Sequence, residues 1–247
     1  MKYFFSLLFS AVFTCNSQPV SDRIVLINVG SLSRGEIAQL ISCIDSLSPK
    51  VIGIDLQFSS ETNYQTDLQL VSSLVECKSG LVMVSVIDDF NGIESSYRKF
   101  TLGSLGEFTI MAKTGFANLI LENEEVKTLK YFSTHERVGG KVEYNFGVRT
   151  AMEFDSTRAI EFVEMNNRKL AIDYQEGRRK FKVISHFDVL KRKVPRQDIE
   201  GKIVLVGYVG PLDEDKFFSP LNKKVKPLKP DVYGLEYYAY VIEQVLR

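Results

Sequence analysis

The sequence predicts an α/β fold built on a mainly parallel, doubly wound sheet, with helices on both faces and an antiparallel hairpin insertion. Short apolar runs rich in β-branched residues occur at residues 23–29, 51–56 and 81–86, as is typical of strands covered on both faces. Amphipathic segments at residues 33–47 and 66–76 separate the three runs. A strand, a helix and a second strand of these lengths form a β-α-β unit, so the three strands should lie parallel.

The start of the first predicted helix carries a signal of its own. Ser33 is a favourable N-cap, and Glu36 follows three residues later, which is the spacing of a capping box. The helix therefore begins just after the first strand. Ligand sites of open α/β sheets form at this edge, beyond the carboxyl ends of the strands.

The middle of the chain predicts the antiparallel insertion. Residues 115–121 and 126–132 predict strands, and residues 145–155 predict a helix. Between them, Gly139-Gly140 provides the positive φ angles of a tight hairpin turn. The polar stretch at residues 88–106 is interpreted as a solvated insertion.

The last third of the chain predicts another buried strand and a closing helix. Residues 170–174 predict a strand, and Ser185 is a natural cap for a short helix. Residues 203–206 form a continuous apolar run that leads into Gly207, and an amphipathic helix begins near Gly234. On that helix we expect a core side, Leu235, Tyr238, Val241, Ile242 and Val245. Three tyrosines are expected to offer a partner surface: Tyr233, Tyr237 and Tyr240.

Composition sets the broad class. The chain has 247 residues and a formal net charge of zero, which suits one large domain and argues against nucleic acid as a partner. Besides Cys15, only Cys43 and Cys77 are present, too few for a disulfide scaffold or a zinc site. These two are either bridged between adjacent helices in an oxidising compartment or two buried thiols.

The N terminus, residues 1–20, reads as a signal peptide or lipoprotein signal that precedes a domain at residues 21–247. Lys2 is followed by an apolar run at residues 3–13, too short for a stable membrane span. Residues 12–15 resemble a lipobox, which would make Cys15 the lipidation site. Plain secretion, an uncleaved anchor and a buried N-terminal strand are the alternatives. Elsewhere, no stretch is long and apolar enough to cross a membrane.

With these elements in order, residues 23–247 resemble the type-2 CHASE domain, a sensory extracellular domain associated with cyclases and histidine kinases. Several ordered patterns carry the resemblance: residues 24–27 with Gly30-Ser31-Leu32 and Arg34; Val51-Ile52-Gly53-Ile54-Asp55 with Phe58; Phe116-Ala117-Asn118; Gly201-Lys202-Ile203-Val204-Leu205-Val206-Gly207; Asp215; Ser219-Pro220; and Gly234-Leu235-Glu236-Tyr237-Tyr238-Ala239. The sequence departs from the family at the acidic pair after strand one, which is Asn28-Val29 here, and at a histidine near the end, which is Tyr238.

The resemblance implies a sensory, non-catalytic module in the periplasm or at the bacterial cell surface. Its ligand would be a small molecule or a protein. Relatives usually continue into transmembrane helices and a cytoplasmic kinase, cyclase or phosphatase, whereas this sequence ends at Arg247. We therefore expect no output module of its own, and a membrane kinase or cyclase as partner in trans. Membrane attachment would come from the N-terminal lipid.

Candidate ligand-binding residues gather at the predicted carboxyl edge of the sheet: Ser31, Arg34, Asp55, Gly207, Asp213 and Asp215. Strand one, strand two and the last strand should be neighbours, so their loops converge there. Two structural alternatives remain open. Asp55 would accept backbone N–H bonds, or Asp213 and Asp215 would only organise the loop before Ser219-Pro220.

Catalytic signatures are missing from the sequence. It contains no nucleophile elbow, P-loop or dinucleotide fingerprint, and its two histidines have no ligand spacing, so no catalytic residue, metal or cofactor is assigned. Two further hypotheses compete with the sensory module. The first is a metal-assisted hydrolase using Asp55, Asp213 and Asp215, with calcium or magnesium as the ion. The second is a structural lipoprotein.

Overall fold

A computed structural model describes residues 20–101, 106–109, 111–121, 127–174, 180–210, 215–222 and 229–247. Its strands are β1 (Val20–Asn28), β2 (Val51–Ile54), β3 (Gly80–Asn91), β4 (Ser96–Thr101), β5 (Lys113–Phe116), β6 (Ile120–Leu121), β7 (Leu129–Ser133), β8 (His135–Val138), β9 (Lys141–Tyr144), β10 (Lys169–Ala171), β11 (Lys180–Ser185), β12 (Ile203–Gly207), β13 (Lys216–Phe217) and β14 (Val232–Tyr233). The helices are α1 (Arg34–Asp45), α2 (Tyr64–Glu76), α3 (Gly106–Thr109), α4 (Phe146–Phe154), α5 (Ser156–Met165), α6 (His186–Leu190) and α7 (Gly234–Val245).

The central sheet has its strands in the order β11-β1-β12-β2-β3, and every neighbouring pair in this series is parallel. The far side of β3 pairs first with parallel β5 and then with antiparallel β4, and β8 and β9 extend the sheet from there. A small antiparallel sheet, β10-β7-β6, and the β13/β14 pair complete the described strands. The predicted α/β fold with antiparallel additions is confirmed.

Helices cover both faces of this sheet because its strand residues alternate between two cores. In β12, Ile203 and Leu205 pack into the core formed with α4, α5 and α7. Val204 and Val206 point the other way, into the core formed with α1, α2 and α6. The alternation follows from the two-residue repeat of a strand and explains why the run at residues 203–206 carries no polar side chain.

Two local predictions are confirmed in detail. Ser33 caps α1: its backbone N–H donates to Glu36 Oε2 at 2.8 Å, and the Glu36 N–H donates to Ser33 Oγ at 3.4 Å. The hairpin between β8 and β9 turns at Gly139 and Gly140, whose φ angles are +54° and +82°. Both positive values lie in the region that glycine adopts without steric cost.

The middle and the end of the chain differ from the expectations in three respects. Much of the polar stretch at residues 88–106 is strand, because β3 continues to Asn91 and pairs with β4 through Ile87↔Phe100 and Phe90↔Tyr97. The helix α5 and the edge strand β11 were not predicted. Tyr237 offers no partner surface, since it is fully buried in the core, and the Tyr240 ring packs against Tyr174 and Phe181 at 5.1 Å each.

Cys43 and Cys77 are free, partly buried thiols, so of the two alternatives left open by the sequence the structure has the unbridged one. The Cys77 Sγ donates to Asp45 Oδ1 at 3.3 Å, and Asp45 also accepts from the Ser79 N–H at 2.9 Å. Burial, followed by the Asp45 carboxylate, raises the pKa of the Cys77 thiol to about 12.

The packing of β5 against α4 yields a testable prediction. A Cβ at Gly115 would lie 2.6 Å from Phe146 Cα, which is backbone and cannot rotate away. Gly115→Ala should therefore lower the free energy of unfolding by about 2–3 kcal/mol in a urea titration, the usual cost of overpacking.

Gly92→Ala is the matched control, because a Cβ there meets no atom within 4 Å. It should stay within about 0.5 kcal/mol of the wild type. Equal effects of the two substitutions would contradict the close approach of β5 and α4.

Candidate functional site

The carboxyl ends of β1, β12 and β2 form one edge of the sheet, as the sequence predicted. Backbone hydrogen bonds hold the three ends in register. The Val29 N–H donates to the Gly207 carbonyl at 3.0 Å, and the Asp55 N–H donates to the Val206 carbonyl at 2.8 Å. Asp55 therefore leaves β2 directly beside the end of β12.

Asp215 approaches the same edge from the start of the β13/β14 pair. Its carbonyl accepts the Gly234 N–H at 3.1 Å, and a Cβ at Gly234 would lie 3.1 Å from both carboxylate oxygens of Asp215. Since Gly234 is the first residue of α7, the Asp215 carboxyl group lies at the amino end of a 12-residue helix, where partial positive charge favours an anion.

Gly207 provides the space between these elements. A Cβ at Gly207 would lie 3.2 Å from Asp55 Cβ and 2.9 Å from Leu235 Cδ1. Any side chain at this position would press on Asp55 from one side and on the first turn of α7 from the other. The small size of Gly207 thus lets Asp55 and the first turn of α7 approach each other, and its role in ligand binding stays a prediction.

The electrostatics of the two carboxyl groups are unusual. Burial, followed by the negative charge of the nearby Asp215, raises the pKa of Asp55 to about 7. Burial raises the pKa of Asp215 to about 6. In the described part of the chain, neither carboxyl group forms an ion pair or accepts a hydrogen bond from a side chain or from the backbone. The backbone N–H bonds expected for the Asp55 carboxyl group are therefore not found there.

Tyr238 borders the carboxyl pair, and sequence reasoning missed it as a site residue. Its hydroxyl donates to the Ala117 carbonyl at 2.9 Å, and its ring meets Phe146 edge-on at 4.9 Å. Burial, together with the negative charge of Asp55, raises the pKa of Tyr238 well above its usual value, so the side chain stays neutral. The only sequence signal was its place, where the resembling family has a histidine.

Two other polar residues organise the edge without having been assigned. The side chain of Asn28 accepts from the N–H groups of Gly30 at 3.2 Å and Val209 at 3.0 Å, which ties the loops after β1 and β12 together. Asp231 accepts from the Ser219 N–H at 2.8 Å and hydroxyl at 2.7 Å. Asp231, rather than Asp215, therefore holds the loop at Ser219.

The remaining predicted residues are not brought to the pair. Ser31 is exposed in the connection between β1 and α1, and its role in a site stays a prediction. Arg34 pairs with Asp67 at 2.6 Å and lies 5.2 Å from the centre of the Phe108 ring, so its contacts link α1 to α2. Asp213 and Cys15 lie outside the described residues.

The described residues at this edge offer few ligands for a metal ion. Among the described residues, no group of three or more histidine, cysteine, aspartate or glutamate side chains could hold an ion. Asp55 and Asp215 alone would give a cation two carboxylate groups, which is fewer oxygen ligands than calcium takes from a protein site, whereas magnesium is bound through one or two carboxylates together with waters or substrate phosphates.

A doubly wound sheet with partly buried carboxyl groups beyond the carboxyl ends of its strands is the arrangement in which open α/β domains bind ligands. The family model of the CHASE2 domain matches residues 20–247, and the chain therefore belongs to the CHASE2 domain family. CHASE2 is an extracellular sensory domain rather than a catalytic one. No curated protein and no solved structure matched the chain significantly. Of the helices in the described ranges, none combines the length and apolarity needed to cross a bilayer.

The raised pKa of Asp55 predicts a pH-dependent effect of Asp55→Asn. In the unfolded chain the carboxyl group ionises near its ordinary pKa of about 4, whereas in the folded protein it stays protonated up to pH about 7. The wild type therefore loses stability as the pH rises from about 4 to about 7, whereas the Asp55→Asn variant does not. At pH 8 the variant should be more stable by about 2 kcal/mol, with the gain shrinking towards pH 4.

Chemical denaturation at pH 4, 6 and 8 measures this gain. Asp22→Asn, at an exposed position in β1, is the matched control and should follow the wild type at each pH. A gain for Asp55→Asn that does not change with pH would contradict burial of the carboxyl group.

Proposed function

We propose that this CHASE2 domain senses a small molecule at the carboxyl edge of its sheet. The observation that carries the proposal is the partly buried Asp55–Asp215 pair, which lies at the edge where open α/β sheets bind ligands and has no basic partner in the described residues. Partly desolvated acids at such an edge, uncompensated by the protein, favour a ligand that compensates them. The sensory character of the family supports the same conclusion.

The chemistry of the pair points to a ligand with an ammonium group or several hydroxyl donors. A cationic group between the carboxyls would lower both pKa values, so binding near pH 6–7 would release protons from Asp55 and Asp215. The neutral Tyr238 and the narrow space at Gly207 would limit the size of the bound group. An anionic ligand would meet repulsion from both carboxylates.

Signal output in this proposal passes to a membrane-bound kinase or cyclase that recognises the ligand-bound domain. Ligand binding at Asp215 and Gly234 would act on the first turn of α7, and α7 packs against α4 on the same face of the sheet. A change at the edge thus reaches one whole face of the domain. The proposal places the domain outside the cytoplasm.

If a ligand binds at the carboxyl pair, the Asp215→Asn variant should lose affinity for it. In thermal-shift and calorimetric titrations at pH 7, at least one of ethanolamine, putrescine and lysine should stabilise the wild type. Asp215→Asn should weaken that binding by about tenfold or more, because it removes one of two charges that face the ammonium group. Repeating the titration in buffers of different ionisation enthalpy measures the protons released.

Asp22→Asn serves as the matched control and should bind like the wild type. The proposal fails if none of the three amines binds, or if Asp215→Asn binds them unchanged. Magnesium or calcium binding that depends on Asp215, accompanied by turnover of a phosphoester, would instead establish the metal-assisted hydrolase.

The N-terminal signal is part of the same proposal. Lys2, the apolar run at residues 3–13 and Cys15 favour export followed by acylation of Cys15. When cells that express the chain are grown with a radiolabelled fatty acid, the label should enter the wild-type protein and not the Cys15→Ser variant.

Cys43→Ser is the control for this labelling, because Cys43 lies in α1, within the folded domain, and should leave acylation intact. Mass spectrometry of the mature N terminus gives a second readout. A mature chain that starts after Cys15 would exclude the lipid anchor.

A further inference from the structure

The turn of the β3/β4 hairpin carries the only asparagine of the chain that a glycine follows. Asn91 is the last residue of β3 and pairs with Ser96 across the turn. The turn residues 92–95 are exposed, and Asn91 itself is half-buried. Water therefore reaches the peptide bond between Asn91 and Gly92, as it commonly does at loop tips.

The side chain of Asn91 folds back onto the turn. Its Oδ1 accepts from the Ile93 N–H at 3.1 Å and, at 3.5 Å, from the Glu94 N–H. Because Ile93 is the second residue after Asn91, this bond holds the side-chain amide towards the intervening backbone nitrogen of Gly92. The two N–H groups also withdraw electron density from the amide carbonyl, in the way that the donors of an oxyanion hole stabilise a developing negative charge.

The backbone nitrogen of Gly92 is available as a nucleophile. In the described part of the chain, its N–H donates to no acceptor. No neighbour crowds this residue, since even a Cβ added at Gly92 would meet no atom within 4 Å. Glycine also tolerates the backbone rotation that brings the nitrogen onto the side-chain carbon.

We propose that Asn91 is a site of spontaneous deamidation through a cyclic imide. The Gly92 nitrogen gives its proton to the solvent and attacks Asn91 Cγ, which forms a new N–Cγ bond. The bond from Cγ to the side-chain nitrogen breaks, and that nitrogen takes up a proton and leaves as ammonia. Water then opens the imide at either carbonyl carbon, which gives aspartate or isoaspartate. Water is consumed and ammonia released, with no change of oxidation state.

The product changes both the charge and the backbone of the hairpin. Either product adds a carboxylate to a tip at which Asp89 and Glu94 are already exposed. Isoaspartate also lengthens the main chain by a carbon atom at the outermost pair of the β3/β4 ladder. The neighbouring rings of Phe90 and Tyr97, now 5.1 Å apart, should then separate. The reaction is independent of ligand binding at the carboxyl edge, and its test does not depend on a ligand.

Incubation of the full chain over several weeks at pH 8 tests the site. Peptide mass spectrometry and enzymatic methyl labelling of isoaspartate should locate the product at Asn91, with an ammonia molecule released for each modified chain. The reaction should be slower at pH 6, because the attacking nitrogen must lose its proton. Gly92→Ala should lose most of the label, since a side chain restricts the rotation that ring closure needs. The added Cβ has room, so the variant keeps its fold.

Asn118 is the matched internal control. Its side chain accepts from the Ile87 N–H at 2.9 Å and donates to the Ile87 carbonyl at 2.8 Å, and Leu119 follows it. Asn118 should therefore react only after unfolding in urea. Asn91 should react at least as fast in the folded chain as in urea, because the turn already holds its side chain. An unmodified Asn91 in the folded chain, a reaction there only in urea, or full labelling of Gly92→Ala would overturn the proposal.

Discussion

The structure depends on the burial of β12 between β1 and β2. All five of its residues are buried, and its backbone hydrogen-bonds to a parallel neighbour on each side. This placement brings Gly207 between the ends of the two strands that lead into Asn28 and Asp55. The geometry of the candidate site is therefore a consequence of sheet order. A polar substitution in β12 would disturb both cores at once, because its side chains alternate between them.

The carboxyl edge combines a stable frame with an unfavourable charge arrangement. Asp55 and Asp215 are held near each other by backbone hydrogen bonds, while their side chains lack a basic partner in the described residues. At neutral pH, ionising both groups opposes folding, and the helix end at Gly234 offsets part of that cost. Tyr238 is neutral and does not compensate the negative charge of the two carboxyl groups. Relatives with a histidine at this place could supply a positive charge, and a tyrosine supplies none.

Much of the fold and part of the site could be predicted from sequence, and the division has a physical basis. Buried parallel strands and the Ser33–Glu36 cap are encoded by neighbouring residues, so they were found, and sheet order then brought Asp55 and Gly207 together. β11 and α5 were missed because their segments carry mixed polar and apolar residues whose register depends on distant partners. Arg34 was assigned to the edge because it follows β1 closely in sequence. Its actual partner, Asp67, lies 33 residues further along the chain, and sequence spacing does not reveal that contact. Tyr238 was missed because its spacing along α7 predicts a core residue. It is indeed buried in the core, but its ring also borders the carboxyl pair.

The hydrogen bond from Cys77 to Asp45 has a consequence for the chemistry of the domain outside the cytoplasm. Thiol–disulfide exchange proceeds through the thiolate, and with a pKa of about 12 only about one Cys77 in 10⁵ is ionised at pH 7. Burial of the thiol, followed by the hydrogen bond to the Asp45 carboxylate and its negative charge, therefore disfavours the reactive thiolate. In an oxidising environment, the Cys77 thiol should therefore react more slowly in the folded domain than in the unfolded chain, in which it lacks both the burial and the contact with Asp45.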